Sequence, residues 1–139
     1  LTHGPIDRDA AISPDGRWIA YRASSKTGAS GQRIIVIPSS GGAPSKTFDA
    51  SRGNWIDAVT SGSGLSWTAD GAALTYVRTA NGVDDVWIQP VSGGPPRPLT
   101  QFPSGRIFAH AWSRDGRLAL ARGSTASDVV LITLGKNRQ

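Results

Sequence analysis

Apolar and polar positions along the chain fall into a repeated scheme. Ile12–Tyr21, Trp67–Tyr76 and Trp112–Leu120 each begin with an apolar residue, then a hydroxyl residue, a variable residue, Asp-Gly and an apolar stretch. The pairs Asp15-Gly16, Asp70-Gly71 and Asp115-Gly116 recur at roughly 45–55 residues, an interval typical of repeat arrays. A second pattern follows the first two. Ile34–Pro44 matches Val86–Pro96, an apolar run followed by Gly-Gly and Pro. The third copy keeps only its start, Val129–Ile132.

Each Asp-Gly predicts a tight hairpin, because glycine supplies a positive φ without a Cβ clash and aspartate tolerates the position before it. Ser13, Thr68 and Ser113, two residues before each Asp, can bond back onto the turn. Each Gly-Gly predicts a second hairpin. One unit therefore reads strand a, Asp-Gly turn, strand b, variable loop, strand c, Gly-Gly turn, strand d. Trp18–Tyr21 and Val86–Ile88 are apolar without alternation, as in a small sheet covered on both faces. Four short strands at this period make the blade of a β-propeller.

The expected fold is all-β: a partial propeller of about three four-stranded antiparallel blades, the last lacking its outer strand. The whole chain forms one segment, with blades at about 6–50, 51–102 and 103–134 and a tail at 135–139. Leu1-Thr2 reads as the end of a preceding d strand, by analogy with Leu99-Thr100, and the chain as a piece of something longer. The third turn carries Arg114 where the first has Pro14, and its strand b reads one residue short after Gly116.

Composition agrees with this reading. Glycine (17) and proline (9) supply the turns, and there is no Glu or Met among the helix formers. With no cysteine, disulfides and thiolate-ligated zinc are excluded. The apolar runs are too short to span a membrane as helices. The net charge of +5 comes from arginines spread along the chain, whereas a nucleic-acid partner calls for a clustered basic patch. No nucleic-acid partner and no membrane insertion are expected.

Ser13–Tyr21 resembles the repeat of TolB-type, WD-repeat-like propellers, and the stretch from Asp85 to Gly123 is similar to the C-terminal propeller of bacterial serine/threonine protein kinases. It also resembles propellers fused to winged-helix regulators. The resemblance runs from residue 1 to about 134. It implies a ring that is commonly six-bladed and an extracytoplasmic setting. No kinase motif accompanies it: the chain has neither a glycine-rich phosphate loop nor a His-Arg-Asp catalytic loop.

Candidate chemistry is sparse. A nucleophile needs an oriented base, and His3 and His110 are the only histidines. His110 lies between Ala109 and Ala111 in an inner strand, which favours a structural or channel-lining role. Gly62-Ser63-Gly64 lacks the nucleophile-elbow pattern. Asp7 and Asp9 precede strand a and Asp84-Asp85 precede strand c, too few carboxylates in any one place for calcium. No catalytic residue, metal or cofactor is expected, and the chain reads as no enzyme.

Binding candidates sit at the opposite end of the strands from the Asp-Gly turns. The longest d-to-a link contains Arg52–Asp57, with Trp55 and Asp57 as contacts, and Arg22, Arg78 and Arg122 each close a strand b, an arc of positive charge. His110 at the channel mouth completes the set. The expected function is a non-catalytic protein-interaction or sensing module of a larger bacterial protein. The alternatives are a small-ligand or carbohydrate-binding propeller and an accessory propeller of a peptidase. Three blades cannot close alone, so self-association into a three-plus-three dimer is expected beside a protein partner.

Overall fold

The computed structural model describes residues 7–24, 32–50, 54–55 and 64–124. All the regular structure among them is β. The first blade is a four-stranded antiparallel sheet in chain order: β1 (Asp7–Ile12), β2 (Trp18–Ser24), β3 (Gln32–Pro38) and β4 (Lys46–Asp49). In the second, β5 (Asn54–Trp55) and β6 (Ser66–Trp67) both pair with β7 (Ala73–Ala80), followed by β8 (Val83–Pro90) and β9 (Arg97–Pro98). The third shows β10 (Arg106–Trp112) paired with β11 (Leu118–Gly123). The expected strands at Leu1-Thr2 and Val129–Ile132 lie outside the described residues, as does His3.

The repeated turn has one chemistry. In the first, the Ser13 hydroxyl donates to Asp15 Oδ1 at 2.5 Å and accepts from the Trp18 amide at 2.9 Å, while Arg17 N–H donates to the same carboxylate oxygen. Thr68 and Asp70 repeat it, with the Ala72 and Ala73 amides as donors. These donors hold the Asp15 and Asp70 carboxyls below their usual range, the Ser13 and Thr68 hydroxyls contributing most. Gly16, Gly71 and Gly116 have φ of 71°, 68° and 82°. The third turn is tighter: Ser113 N–H donates to the Arg117 carbonyl, four residues on, where Ser13 and Thr68 reach five residues on to Trp18 and Ala73.

Register aligns the blades. Ile12↔Ile19, Trp67↔Leu74 and Trp112↔Leu118 are equivalent pairs. Beyond them strand a is interrupted at one place in every blade. β1 has a bulge between Arg8 and Ala11, and β10 has one between Ile107 and Ala109. In the second blade the partners jump from Trp55↔Arg78 to Ser66↔Thr75. Asn54 and Trp55, which the sequence assigned to a d-to-a loop, thus belong to strand a, and the interruption falls between Trp55 and Ser66. A bulge already leaves a residue outside the ladder and bends the strand, so an interruption there preserves pairing on both sides.

Packing between blades forms the core. The face of the second blade toward the first carries Trp67, Leu74 and Tyr76, buried against Ala20, Ile34 and Val36. Its other face puts Val77 and Val86 against Ile107, with Leu118 and Leu120 packed around them. β7 is consequently buried on both faces from Ala73 to Val77. That environment pushes the Tyr76 phenol up to about 12, since burial disfavours the phenolate.

Candidate functional site

Two buried polar arrangements fix the third blade on the second. Asp84, fully buried in β8, accepts from Thr79 Oγ1 (2.8 Å), Arg106 Nε (2.9 Å) and the Ile107 amide (2.8 Å). Its neighbour Asp85 accepts from Thr100 Oγ1 and the Phe102 amide. Asp84 and Asp85 therefore lie inside strand c and brace backbone, instead of preceding the strand. Asp7 and Asp9 likewise belong to β1. Asp9, at φ 54°, pairs with Arg22, and it comes so close that a Cβ on Gly64 would meet its Cγ at 2.6 Å. Among the described residues no cluster of three or more His, Cys, Asp or Glu could hold a metal ion.

The second arrangement surrounds Thr75, which is fully buried. Its Oγ1 accepts from the Trp112 indole at 3.0 Å and lies 3.3 Å from His110 Nε2. His110 Nδ1 is buried with no hydrogen-bond partner among the described residues. Either neutral tautomer leaves that atom unpaired, and an imidazolium would add an N–H with no acceptor. Burial holds the His110 pKa below its usual value, and the Thr75 contact opposes this only in part. The ring is an interblade packing group with one nitrogen occupied.

The expected binding residues do not converge. Trp55 is in β5, its backbone opposite Arg78; Asp57 lies outside the described residues. Arg22 is buried in its ion pair with Asp9. Arg78 stacks on Trp87, 4.0 Å from the ring centroid, and Arg122 stacks on Phe102 at 3.7 Å while donating to the Ser104 carbonyl. Register makes Arg78 and Arg122 equivalent and puts Arg22 one position earlier, so its side chain leaves the opposite sheet face. The three arginines occupy the same end of strand b without forming one surface.

A cleft of about 650 Å³ opens instead at the turn end, between the second and third blades. Thr68, Asp70 and Ala73 form one wall and Trp112, Asp115 and Gly116 the other, with Ile88 and Pro90 beneath. Arg97 and Arg114 are exposed at its margin, and neither has an ion-pair partner among the described residues. Asp70 and Asp115 are turned into their own turns by Thr68 and Ser113. The cleft therefore combines an apolar wall with two arginines that make no ion pair among the described residues, while Asp70, hydrogen-bonded in its turn, and Asp115, paired with Arg117, stay on its lining.

The blades and their packing match solved structures. TolB from Acinetobacter baumannii aligns over 86% of this chain and 27% of its own, at TM-score 0.59 and 20% identity. A putative TolB from Agrobacterium tumefaciens aligns over 88% and 44%, at TM-score 0.58 and 24% identity. This is a TolB-like propeller fold. The isopeptidase AtxE2 shares it over 80% of this chain and 19% of that one, at TM-score 0.55 and 22% identity. In sequence, the chain is 39% identical over 59 residues to Tricorn protease homolog 1 of Streptomyces coelicolor, 42% of this chain and 6% of that protein. No protein-family model matches. The chain spans less than half the length of each of these proteins.

Proposed function

We propose that the chain is a non-catalytic interaction module of a larger protein, and that the cleft between its second and third blades takes an extended acidic segment of a protein partner. The observation that carries this reading is the pair Arg97 and Arg114 beside the apolar wall of Ile88, Pro90 and Trp112. Arginine forks suit carboxylates, and an indole flanked by apolar residues suits the stem of a peptide side chain.

The test is fluorescence anisotropy with labelled peptides that alternate glutamate and apolar residues, against peptides with glutamine in place of glutamate. The acidic peptide binds and loses affinity with salt. The Arg97→Glu, Arg114→Glu double variant weakens it by at least about tenfold, as for loss of two charge-assisted contacts. Equal binding of both peptides, or of the acidic peptide to the double variant, would contradict the proposal.

The names of the Streptomyces protease homologue and the isopeptidase favour a second reading, an accessory propeller beside a peptidase. A hydrolase domain in the same reading frame would support it, and the cleft would then face the peptidase's substrate. In both readings this segment itself turns over no ester, peptide or nucleotide. Activity that vanished in His110→Ala would overturn that.

A further inference from the structure

The two joints between the described blades are built from equivalent positions, and they differ at a residue that decides whether the space between the blades is filled. Register matches Trp18↔Pro38 in the first blade with Ala73↔Pro90 in the second, and Val36 with Ile88. It also matches Trp67 with Trp112, each closing strand a of the following blade. Trp18 and Ala73 lie on the strand face of Ala20 and Thr75, two residues on, the face turned to the next blade.

In the first joint Trp18 packs against the cluster that contains Val36 and Trp67, and both of these are buried. In the second joint Ala73 has a methyl group in place of that indole. Ile88 and Trp112 are there only partly buried, and both line the cleft. The turns differ in the same sense. A Cβ on Gly71 would meet Pro14 Cδ at 3.6 Å, whereas a Cβ on Gly116 would meet nothing within 4 Å among the described residues. Ala69 stands in place of Pro14, and the third turn reaches four residues on where the others reach five. The cleft is thus the space that a tryptophan of the chain's own fills one joint earlier.

We infer, resting on the reading of the cleft as a peptide site, that its central occupant is an aromatic side chain of the partner segment, best a tryptophan, lying where Trp18 lies in the first joint. The Trp112 indole N–H is already donated to Thr75, so the ring offers the guest its apolar surface. An aromatic ring gains most from burial against such a wall, and anchors of this kind carry much of the energy of an interface. Acidic neighbours of the anchor then reach Arg97 and Arg114 at the margin.

Fluorescence anisotropy with three labelled peptides tests this: glutamate flanks around a central tryptophan, the same flanks around a central alanine, and glutamine flanks around the tryptophan. The alanine peptide binds the wild-type chain at least about tenfold more weakly than its tryptophan counterpart, the effect of losing a central anchor. Ala73→Trp fills the cleft from within as Trp18 does, and weakens the acidic tryptophan peptide at least about tenfold although Arg97 and Arg114 remain. A circular dichroism melt shows that this variant is folded; if it is not, Ala73→Leu replaces it. Equal binding of the tryptophan and alanine peptides, or undiminished binding to the folded variant, would overturn the aromatic seat and leave the acidic reading standing. A tryptophan peptide that binds equally well with glutamine flanks would sink the acidic reading and leave the seat standing. No binding by any of the three overturns both.

Discussion

Replacing Asp84 by alanine removes the acceptor for three donors at the junction of the second and third blades. Their losses are unequal. The Arg106 side chain is 39% exposed, so water rehydrates its guanidinium and little is lost there. The Thr79 hydroxyl is half-buried and can rotate to another acceptor. The Ile107 amide cannot, because Ile107 is 1% exposed and this N–H points at Asp84. Stranding a buried donor costs about 1–3 kcal/mol, and the void and the weakened Arg106 contact bring the total to about 3 kcal/mol. That is a large fraction of the stability of a small domain. Urea unfolding followed by tryptophan fluorescence would show the midpoint fall at constant slope. Amide exchange at Ile107 should accelerate while exchange in the first blade does not. Asp84→Asn keeps an acceptor on this amide and should lose about half as much. A loss below about 1 kcal/mol for Asp84→Ala would refute Asp84 as the brace of the third blade.

Three further outcomes are expected. Gly71→Val forces a β-branched residue to a φ of 68° and should cost about 1–2 kcal/mol in a thermal melt, although the nearest atom to a new Cβ, Pro14 Cδ, is at an ordinary 3.6 Å; an unchanged midpoint removes the turn assignment. His110 has a folded pKa below its unfolded value, so the unfolded chain binds the proton first and stability falls as pH drops through about 6.5. His110→Gln should flatten that part of the pH profile, and a profile identical to wild type would contradict the buried neutral ring. Tyr76 is raised from 10.0 to about 12, so its contribution is complete below pH 10 and is lost as pH rises toward 12. The absorbance of its phenolate should appear with unfolding, and a titration near pH 10 in the folded protein would contradict the burial.

The blade pattern was legible because its turns depend on residues with few substitutes. Asp70-Gly71 closes a hairpin through its own carboxylate and a positive φ, and both can be named from sequence. Asn81-Gly82, at φ 52° and 78°, is an equally specific two-residue hairpin between β7 and β8, yet the repeat scheme hid it in a variable loop. Asn54 and Trp55 were misplaced because alignment from Trp67 backwards carries no mark of a bulge. Interblade polar contacts were not legible either. Asp84 resembles a surface acid until β10 closes over it. Arg114 stood out only as a departure from the turn residue Pro14, and nothing in the sequence tied it to a cleft. Arg97, between two prolines in β9, gained meaning only when the blades were set side by side.

Nuclear magnetic resonance titration of the ¹⁵N-labelled chain with an acidic peptide reports where on the blades the ligand sits. Binding in the cleft shifts the Trp112 indole N–H and the amides of Ile88, Arg97 and Gly116, and leaves Arg22 and Arg78, near the other end of strand b, unshifted. Shifts confined to Arg22, Arg78 and Trp55, with the Trp112 indole unmoved, would contradict it.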